Sequence, residues 1–499
     1  MNPFYSCGRT LIAFFFFLFN LVCVYGIDFH PIKFLEKKED SFATSLTPDG
    51  LWIAGHSGGD PFIYHIETRT MQPLWYTTSH LQSKCLEILQ MYYGDSFGNF
   101  TKRNLDLSGN DLDPCRGNVC ISKDATVVRW ITRSGKLFCW KPDTGIEKCR
   151  PIGTVHKLVM SSSSDGGTYG YGTSAKKKIK DEVTTRWNLT SICHDQDESE
   201  DVILPAYTAE FSPAKPKEMI LHGLSADGEL GVGIMYLGKT KGIIYRKRDV
   251  PRITPIIFSY TLNPTLDSNP NDFDWDMSKT YHLDNILVHG NPHYFFTEES
   301  LKNIQDYPTQ TVFFGVSPNK KYAVGAMKVH FSFNENSPLY QKKQIQLIMH
   351  KNRDAFGAYI HFLFIYDLEN KKFQFLANSL DYSFLAEPCY ELKISDDGKT
   401  IIGTYQKPDV EIEGESHYKQ TQNFLEENEC AWTKGQAIIW TKEDGLYLLK
   451  EWLIKKDVYI NEFNNWDLLA ATDLTPDGRF FVGYGKNPYD HIQGFHVSR

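Results

Sequence analysis

The chain has 499 residues and a formal net charge of −8 at pH 7. That length suits one large all-β domain or two to three average domains. The acidic balance argues against nucleic acid, whose phosphates demand a basic face. With 33 Phe, 27 Tyr and 10 Trp beside 36 Gly, the composition favours strands and tight turns over helices.

Residues 1–26 read as an export leader. Arg9 supplies the positive start, an apolar run follows over 11–24, and Val24-Tyr25-Gly26 offers a cleavage site. The run is shorter than the ~20 residues that a spanning helix needs. Cleavage is therefore expected, with no membrane span afterwards and a secreted or periplasmic destination. Of the ten cysteines, Cys7 and Cys23 fall in the leader. The rest are Cys85, Cys115, Cys120, Cys139, Cys149, Cys193, Cys389 and Cys430. An even number in an oxidising compartment suggests disulfides, with Cys139–Cys149 and Cys389–Cys430 as guesses at pairing. No cysteine or histidine spacing fits a zinc site, and no cofactor or metal is expected.

Along the chain one short pattern recurs. It begins as Ser45-Leu46-Thr47-Pro48-Asp49-Gly50 and runs to Gly55. A degenerate copy follows at 121–128, and others at Ser164-Asp165-Gly166, Ser225-Ala226-Asp227-Gly228, Ser317-Pro318-Asn319-Lys320, Ser395-Asp396-Asp397-Gly398 and Thr475-Pro476-Asp477-Gly478. An apolar residue and Ser or Thr end one strand, Asp-Gly turns tightly, and a β-rich run starts the next. A later Gly, such as Gly483, makes room for close packing or a bulge. Most copies continue into a second hairpin, as in Gly435 to Thr441 and then Gly445 to Leu448. Each unit thus reads as a four-stranded meander that cannot bury both faces alone. Seven arranged radially can, which predicts an all-β fold, a β-propeller of about seven four-stranded blades spanning 27–499.

The final unit stops at its third strand, Gly494-Phe495-His496-Val497. Residues 29–35 (FHPIKFL) offer the missing fourth, so the N-terminal strand is expected to close the last blade. Uneven spacing places loop insertions near 77–115, 262–306 and 410–432, and a short helix and linker over 452–468.

The copies at Asp227, Asp397 and Asp477 resemble the bacterial extracellular HAF repeat. Its S-x-D-G turn, β run to G-Y and A-F-x-W segment are matched here by Ala437-Ile438-Ile439-Trp440 and by Gln493-Gly494-Phe495. The end of the chain carries the likeness most specifically. Trp452-Leu453, Trp466-Asp467-Leu468, Thr475-Pro476-Asp477-Gly478 and Gly483-Tyr484-Gly485 follow the terminal unit of such proteins. Ala125 and Lys320 depart from the pattern where Gly is expected, leaving six to eight blades open. The resemblance implies an exported repeat protein and no particular reaction.

Candidate chemistry is thin, and catalytic residues are unknown at this level. Gly55-His56-Ser57-Gly58-Gly59 matches a hydrolase nucleophile elbow, but a strand rather than a helix follows it, so it reads as an interstrand turn. Asp267-x-Asn269-x-Asn271 suggests a calcium loop, yet Asp272 and Ser278 stand where Gly and Glu belong. Asp106-x-Ser108-x-Asn110 is weaker still. His282, His289 and His293, with Asp284 and Glu298, could form a metal or acid/base site, although Gly290 and Pro292 oppose a helix there. The repeated Asp49, Asp165, Asp227, Asp397 and Asp477 read as turn residues. Lys176-Lys177-Lys178 reads as a solvated hairpin tip. Asn99-Phe100-Thr101 and Asn188-Leu189-Thr190 are glycosylation sequons only in a eukaryotic host. The reading is a binding or interaction module whose loop-rich face meets a protein or glycan. The rival is a glycan-acting hydrolase or lyase with its site at the mouth of a central channel.

Overall fold

The computed structural model describes residues 27–35, 38, 40–74, 115, 117–149, 154–179, 182–194, 202–203, 218–236, 240–246, 252–256, 310–331, 353–354, 357–370, 372–376, 391–406, 435–456, 458 and 465–499. The leader, the three insertions, and Cys85, Cys389 and Cys430 lie outside them.

The described residues form seven antiparallel sheets. Strand β1 (Asp28–Pro31) comes first. The first sheet holds β2 (Phe42–Leu46), β3 (Trp52–Ser57), β4 (Asp60–His65) and β5 (Thr70–Pro73). The second holds β6 (Cys120–Ile121), β7 (Val128–Ile131), β8 (Leu137–Lys141) and β9 (Gly145–Lys148). The third holds β10 (Thr154–Val159), β11 (Thr168–Ile179), β12 (Glu182–His194) and β13 (Val202–Ile203). The fourth holds β14 (Glu218–Leu224), β15 (Leu230–Tyr236), β16 (Thr240–Arg246) and β17 (Arg252–Ile256). The fifth holds β18 (Gln310–Val316), β19 (Tyr322–Phe331), β20 (Arg353–Asp354), β21 (Gly357–Asp367) and β22 (Lys372–Phe375), one strand more than the meander predicts. The sixth holds β23 (Glu391–Ile394), β24 (Thr400–Gln406), β25 (Gly435–Thr441) and β26 (Gly445–Leu448). Helix α1 (Leu449–Lys455) starts directly from β26, earlier than the sequence suggested. The seventh sheet runs β1, then β29 (Ile492–Ser498), β28 (Phe480–Lys486) and β27 (Asp467–Leu474). The chain start is therefore the fourth strand of the last sheet. Phe29 lies opposite Val497 and His30 opposite His496.

The recurring turn is built by side chains. Thr475 Oγ1 donates to Asp477 Oδ1 at 2.7 Å, which also accepts the Arg479 N–H at 3.0 Å. The Phe480 N–H donates back to Thr475 Oγ1 at 3.0 Å. The same set recurs at Thr47/Asp49, Ser122/Asp124, Ser225/Asp227, Ser317/Asn319 and Ser395/Asp397. Burial alone would raise the Asp477 and Asp397 carboxyls. The Thr475 or Ser395 hydroxyl and the turn N–H hold them below the usual range. The residue after Asp needs the left-handed region: Gly50, Gly228, Gly398 and Gly478 have φ of 74°, 68°, 68° and 72°. Ala125 (φ 58°) and Lys320 (φ 65°) adopt it too, so the departures in sequence are not departures in geometry.

The later Gly permits a bulge. In β2, β14, β18 and β27 the register skips Thr44, His222, Phe314 and Thr472. A Cβ on Gly55, Gly325 or Gly483 would meet the Phe42, Val312 or Ala470 carbonyl oxygen at 1.9, 2.1 or 2.0 Å. The same Cβ would strike the ring of Phe62, Phe364 or Phe495 on the next strand. Each of those rings lies opposite its Gly and is fully buried. That cross-strand Gly–Phe pair is the physical content of the G-Y and A-F segments in the sequence.

Apolar cores sit between consecutive sheets. Trp52 and Ile63 pack with Trp130 and Trp140 between the first and second. Leu137 packs with Leu158 and Tyr171 between the second and third. Phe314 and Ile365 meet Leu392 and Trp440 between the fifth and sixth. Ile439 and Trp452 meet Phe481 and Phe495 between the sixth and seventh. Val482 of the seventh meets Ile53 and Phe62 of the first. β11 and β12 lie against β14, and β15 and β16 against β18. Fully burying one such side chain is worth ~1.5–3 kcal/mol, so these shared cores, more than any turn, hold neighbouring sheets together.

The expected Cys139–Cys149 disulfide is not formed. The strand register puts Glu147, not Cys149, opposite Cys139. Cys149 Sγ instead lies 3.6 Å from Arg129 Nη1.

Candidate functional site

The bulges re-aim side chains on the first strands of the first, fourth, fifth and seventh sheets. One cavity is lined from all seven sheets: Thr44 and Ser45 of β2, Cys120 of β6, Lys157 of β10, His222 of β14, Phe314 of β18, Lys393 of β23 and Asp473 of β27. It is small, with about 30 Å³ of space for water-sized molecules.

Asp473 is fully engaged. Its Oδ2 accepts the Leu46 N–H at 2.9 Å and Ser45 Oγ–H at 3.1 Å, and its Oδ1 accepts the Leu474 N–H at 3.0 Å. Burial raises its carboxyl above the ordinary range, and Lys393 opposes that shift. Its neighbour Thr472 donates to the Ala43 carbonyl at 2.8 Å. One sheet on, Thr44 Oγ1 donates to the Val119 carbonyl at 2.8 Å and accepts the Val119 N–H at 3.0 Å. Asp473, Thr472 and Thr44 thus tie the first strands of neighbouring sheets, a structural task rather than proton transfer.

Lys157 and His222 are a different pair. Lys157 Nζ lies 2.5 Å from His222 Nδ1. An ammonium only donates, so Nδ1 accepts and the imidazole proton sits on Nε2. Burial first, then the Lys157 charge, holds the His222 pKa well below its usual value, so the ring is neutral. His222 Nε2 is sealed from solvent, with no acceptor among the described residues. An orphaned buried donor costs ~1–3 kcal/mol.

The sequence-level candidates fall elsewhere. Ser57 Oγ donates to the Asp40 carbonyl and accepts the Leu35 N–H at 3.2 Å. His56 stacks on Phe42 at 4.6 Å, and burial, helped by Arg133, lowers its pKa to about 4. Strand β4 follows directly, so no nucleophile elbow exists there. The repeated aspartates are turn residues. Lys176, Lys177 and Lys178 lie in β11 near the hairpin end, opposite Thr185, Thr184 and Val183. His282, His289, His293, Asp284, Glu298, the Asp267 loop and the Asp106 segment lie outside the described residues. Among the described residues no group of three His, Cys, Asp or Glu could hold a metal ion, and no helix is long and apolar enough to cross a membrane.

Sequence reasoning missed Lys157, His222, Lys393 and Asp473. A signal existed for three of them. Ser45, Cys120, Lys393 and Asp473 stand two residues before the Ser or Thr of the turn, and Thr44, His222 and Phe314 stand three before. Aligning copies on that residue collects the cavity lining, although the differing side chains hide it.

No protein-family model and no curated protein matches the chain. Among solved structures it is similar to one titled "Crystal structure of the tricorn protease", with 10% sequence identity and a TM-score of 0.31, over 88% of this chain and 31% of that chain. The chain thus spans less than a third of that protein's length.

Proposed function

We propose that the seven sheets are the blades of a closed β-propeller, and that the protein is an exported binding module of the HAF-repeat type for a protein or glycan. Support for the ring comes from sheets that pack on their neighbours in order, and from the seventh, which bonds to the first through Thr472 and Asp473. The observation that carries the binding reading is the cavity drawn from every first strand, with polar groups of differing chemistry converging on it. A glycan-acting hydrolase would need two carboxyl groups ~5–9 Å apart. Among the described cavity residues Asp473 is the single carboxylate, and its hydrogen bonds go to strand backbone and Ser45.

The loop-rich face bearing the insertions near 77–115, 262–306 and 410–432 is assigned to the larger partner. The test is a glycan array run in parallel with pull-down, using the secreted protein and a variant lacking 262–301 and 410–430. Binding that disappears with the loops supports the reading. Unchanged binding by a folded variant removes the loop face from it. Sequencing the secreted chain from its amino end should begin at Ile27, and retention of residues 1–26 would contradict export by cleavage.

A further inference from the structure

We infer that strand β1 is an acid-released latch: a drop in pH charges the His30–His496 stack and frees residues 27–35 from the seventh sheet before the rest of the fold opens. The inference goes beyond the binding reading and does not rest on it. It needs only the pairing of β1 with β29.

Three observations converge. The first is how little holds β1. It is four residues long and lies at the edge of its sheet, so β29 supplies its whole ladder. Beyond the ladder, the Ile32 N–H donates to the Gly494 carbonyl at 2.8 Å and Gln493 Nε2 donates to the Ile32 carbonyl at 2.9 Å. The second is that its two faces act in opposite ways. Phe29 fastens the strand to the core shared with the sixth sheet, stacked on Phe495 at 5.2 Å and edge-on to Trp466 at 5.3 Å. His30, on the other face, stacks on His496 at 6.1 Å, and His496 stacks in turn on Phe480 at 5.8 Å. The third is the chemistry of that stack. His496 is buried, and neither ring nitrogen has a hydrogen-bond partner among the described residues. An imidazolium there would carry a charge and two N–H donors with nothing to meet them.

The surrounding titratable and charged groups do not relieve that charge. Asp28 is exposed at the start of β1. Arg479 lies 5.9 Å from the Phe480 ring and is paired with Asp477. Arg499, just after β29, donates to Thr400 Oγ1 at 2.9 Å. From the first sheet, Tyr64 lies in the adjoining core, and the turn of Asp49 approaches through Gly50, which abuts Phe480. The charge that bears on His496 is that of His30, which adds to the effect of burial in lowering its pKa to about 4. Release of β1 takes His30 away and opens one side of the His496 ring to water. The released form therefore binds the proton more readily, and release is favoured as pH falls from 6.5 towards 4.

The experiment is hydrogen exchange with mass spectrometry on the secreted protein from pH 7 to pH 4, each rate corrected for the chemical exchange rate at that pH. It compares residues 27–35 with residues 52–65 of the first sheet. The expected result is a ~100-fold loss of protection over 27–35, the change in opening equilibrium for a group titrating at about 4 when closed and 6.5 when open, while 52–65 stay protected. His496→Phe keeps the stack without the proton and should abolish the response. His56→Phe, in the first sheet, should leave it in place. Protection over 27–35 that changes less than ~3-fold would overturn the latch. So would loss in step with 52–65, which means global unfolding, or a response that survives in His496→Phe or vanishes in His56→Phe. Should a variant fail to fold, the comparison of the two segments in the unaltered protein still decides. The glycan array and pull-down are read at pH 7, so either result stands whatever the latch does.

Discussion

The second and seventh sheets share one turn and differ at the residue five positions after it. In the seventh that residue is Gly483, opposite Phe495. Its missing side chain lets β27 pass close, bulge at Thr472 and continue back to Asp467. In the second sheet Trp130 stands at that position. It lies opposite Phe138 and stacks on it at 5.8 Å. There β6 pairs with β7 over Cys120 and Ile121 without a bulge, and a separate bridge joins Cys115 to Thr132. The Asp turn therefore fixes where a hairpin begins, while the later Gly makes room for a bulge without dictating one: β23 pairs without a bulge opposite Gly403, and β10 bulges although Tyr171 stands at that position.

The strongest effect is expected at the strand that the seventh sheet borrows. Removing residues 27–35 takes away Phe29, Ile32 and Leu35, which are 4%, 1% and 8% exposed. At ~1.5–3 kcal/mol for each buried side chain, the loss should exceed ~4 kcal/mol in chemical denaturation. A change below ~1 kcal/mol would mean that β1 is not part of the sheet's core.

Gly483→Val would crowd the seventh sheet where β27 passes close to β28. Its Cβ would lie 2.0 Å from the Ala470 carbonyl oxygen, an atom of the backbone that cannot swing aside. We expect a loss of about 3 kcal/mol or more, as for overpacking in a tight core. A well-tolerated Val would show that the seventh sheet can adopt the arrangement of the second.

Acid should act on the seventh and first sheets. His496 and His56 are buried, and burial lowers each pKa from 6.5 to about 4, with His30 and Arg133 respectively adding to the shift. Their folded pKa values lie below the unfolded ones, so between these limits the unfolded chain binds more protons. Stability is full above pH ~6.5, falls as pH drops towards 4, and flattens below it. Each group contributes about 3 kcal/mol to that fall. Urea midpoints across pH 7 to 4 measure it, and His496→Phe should remove its share of the slope.

The smallest effect has the opposite sign. Ala125 and Lys320 hold φ of 58° and 65°, where an L side chain is strained. Ala125→Gly should stabilise the second sheet by ~1 kcal/mol, the relief of a left-handed residue less the added chain entropy. A loss of stability would mean the side chain's contacts outweigh the strain.

Much of this architecture was legible because it depends on short-range chemistry. Ser or Thr, Asp and Gly at fixed spacing determine the turn whatever surrounds them. The fourth strand of the last sheet was legible from a missing segment at one end and an apolar run at the other. The cavity was not, because its chemistry belongs to no single copy. Lys157, His222, Lys393 and Asp473 come from four units and converge only in three dimensions. The Cys139–Cys149 expectation failed for a related reason: even numbers of cysteines say nothing about register, and the strands place Glu147 opposite Cys139.

The seventh sheet is shared by β1 and the strands β27 to β29, with His30 directly opposite His496. Paired residues of adjacent antiparallel strands lie ~4.5–5.5 Å apart at Cα, within reach of a disulfide. Oxidising the His30→Cys, His496→Cys double variant and mapping the bond by peptide mass spectrometry is the direct test. An intramolecular disulfide joining the two substituted positions in the monomer is the predicted result. Introduced thiols that stay reduced, or that link only between molecules, would contradict it.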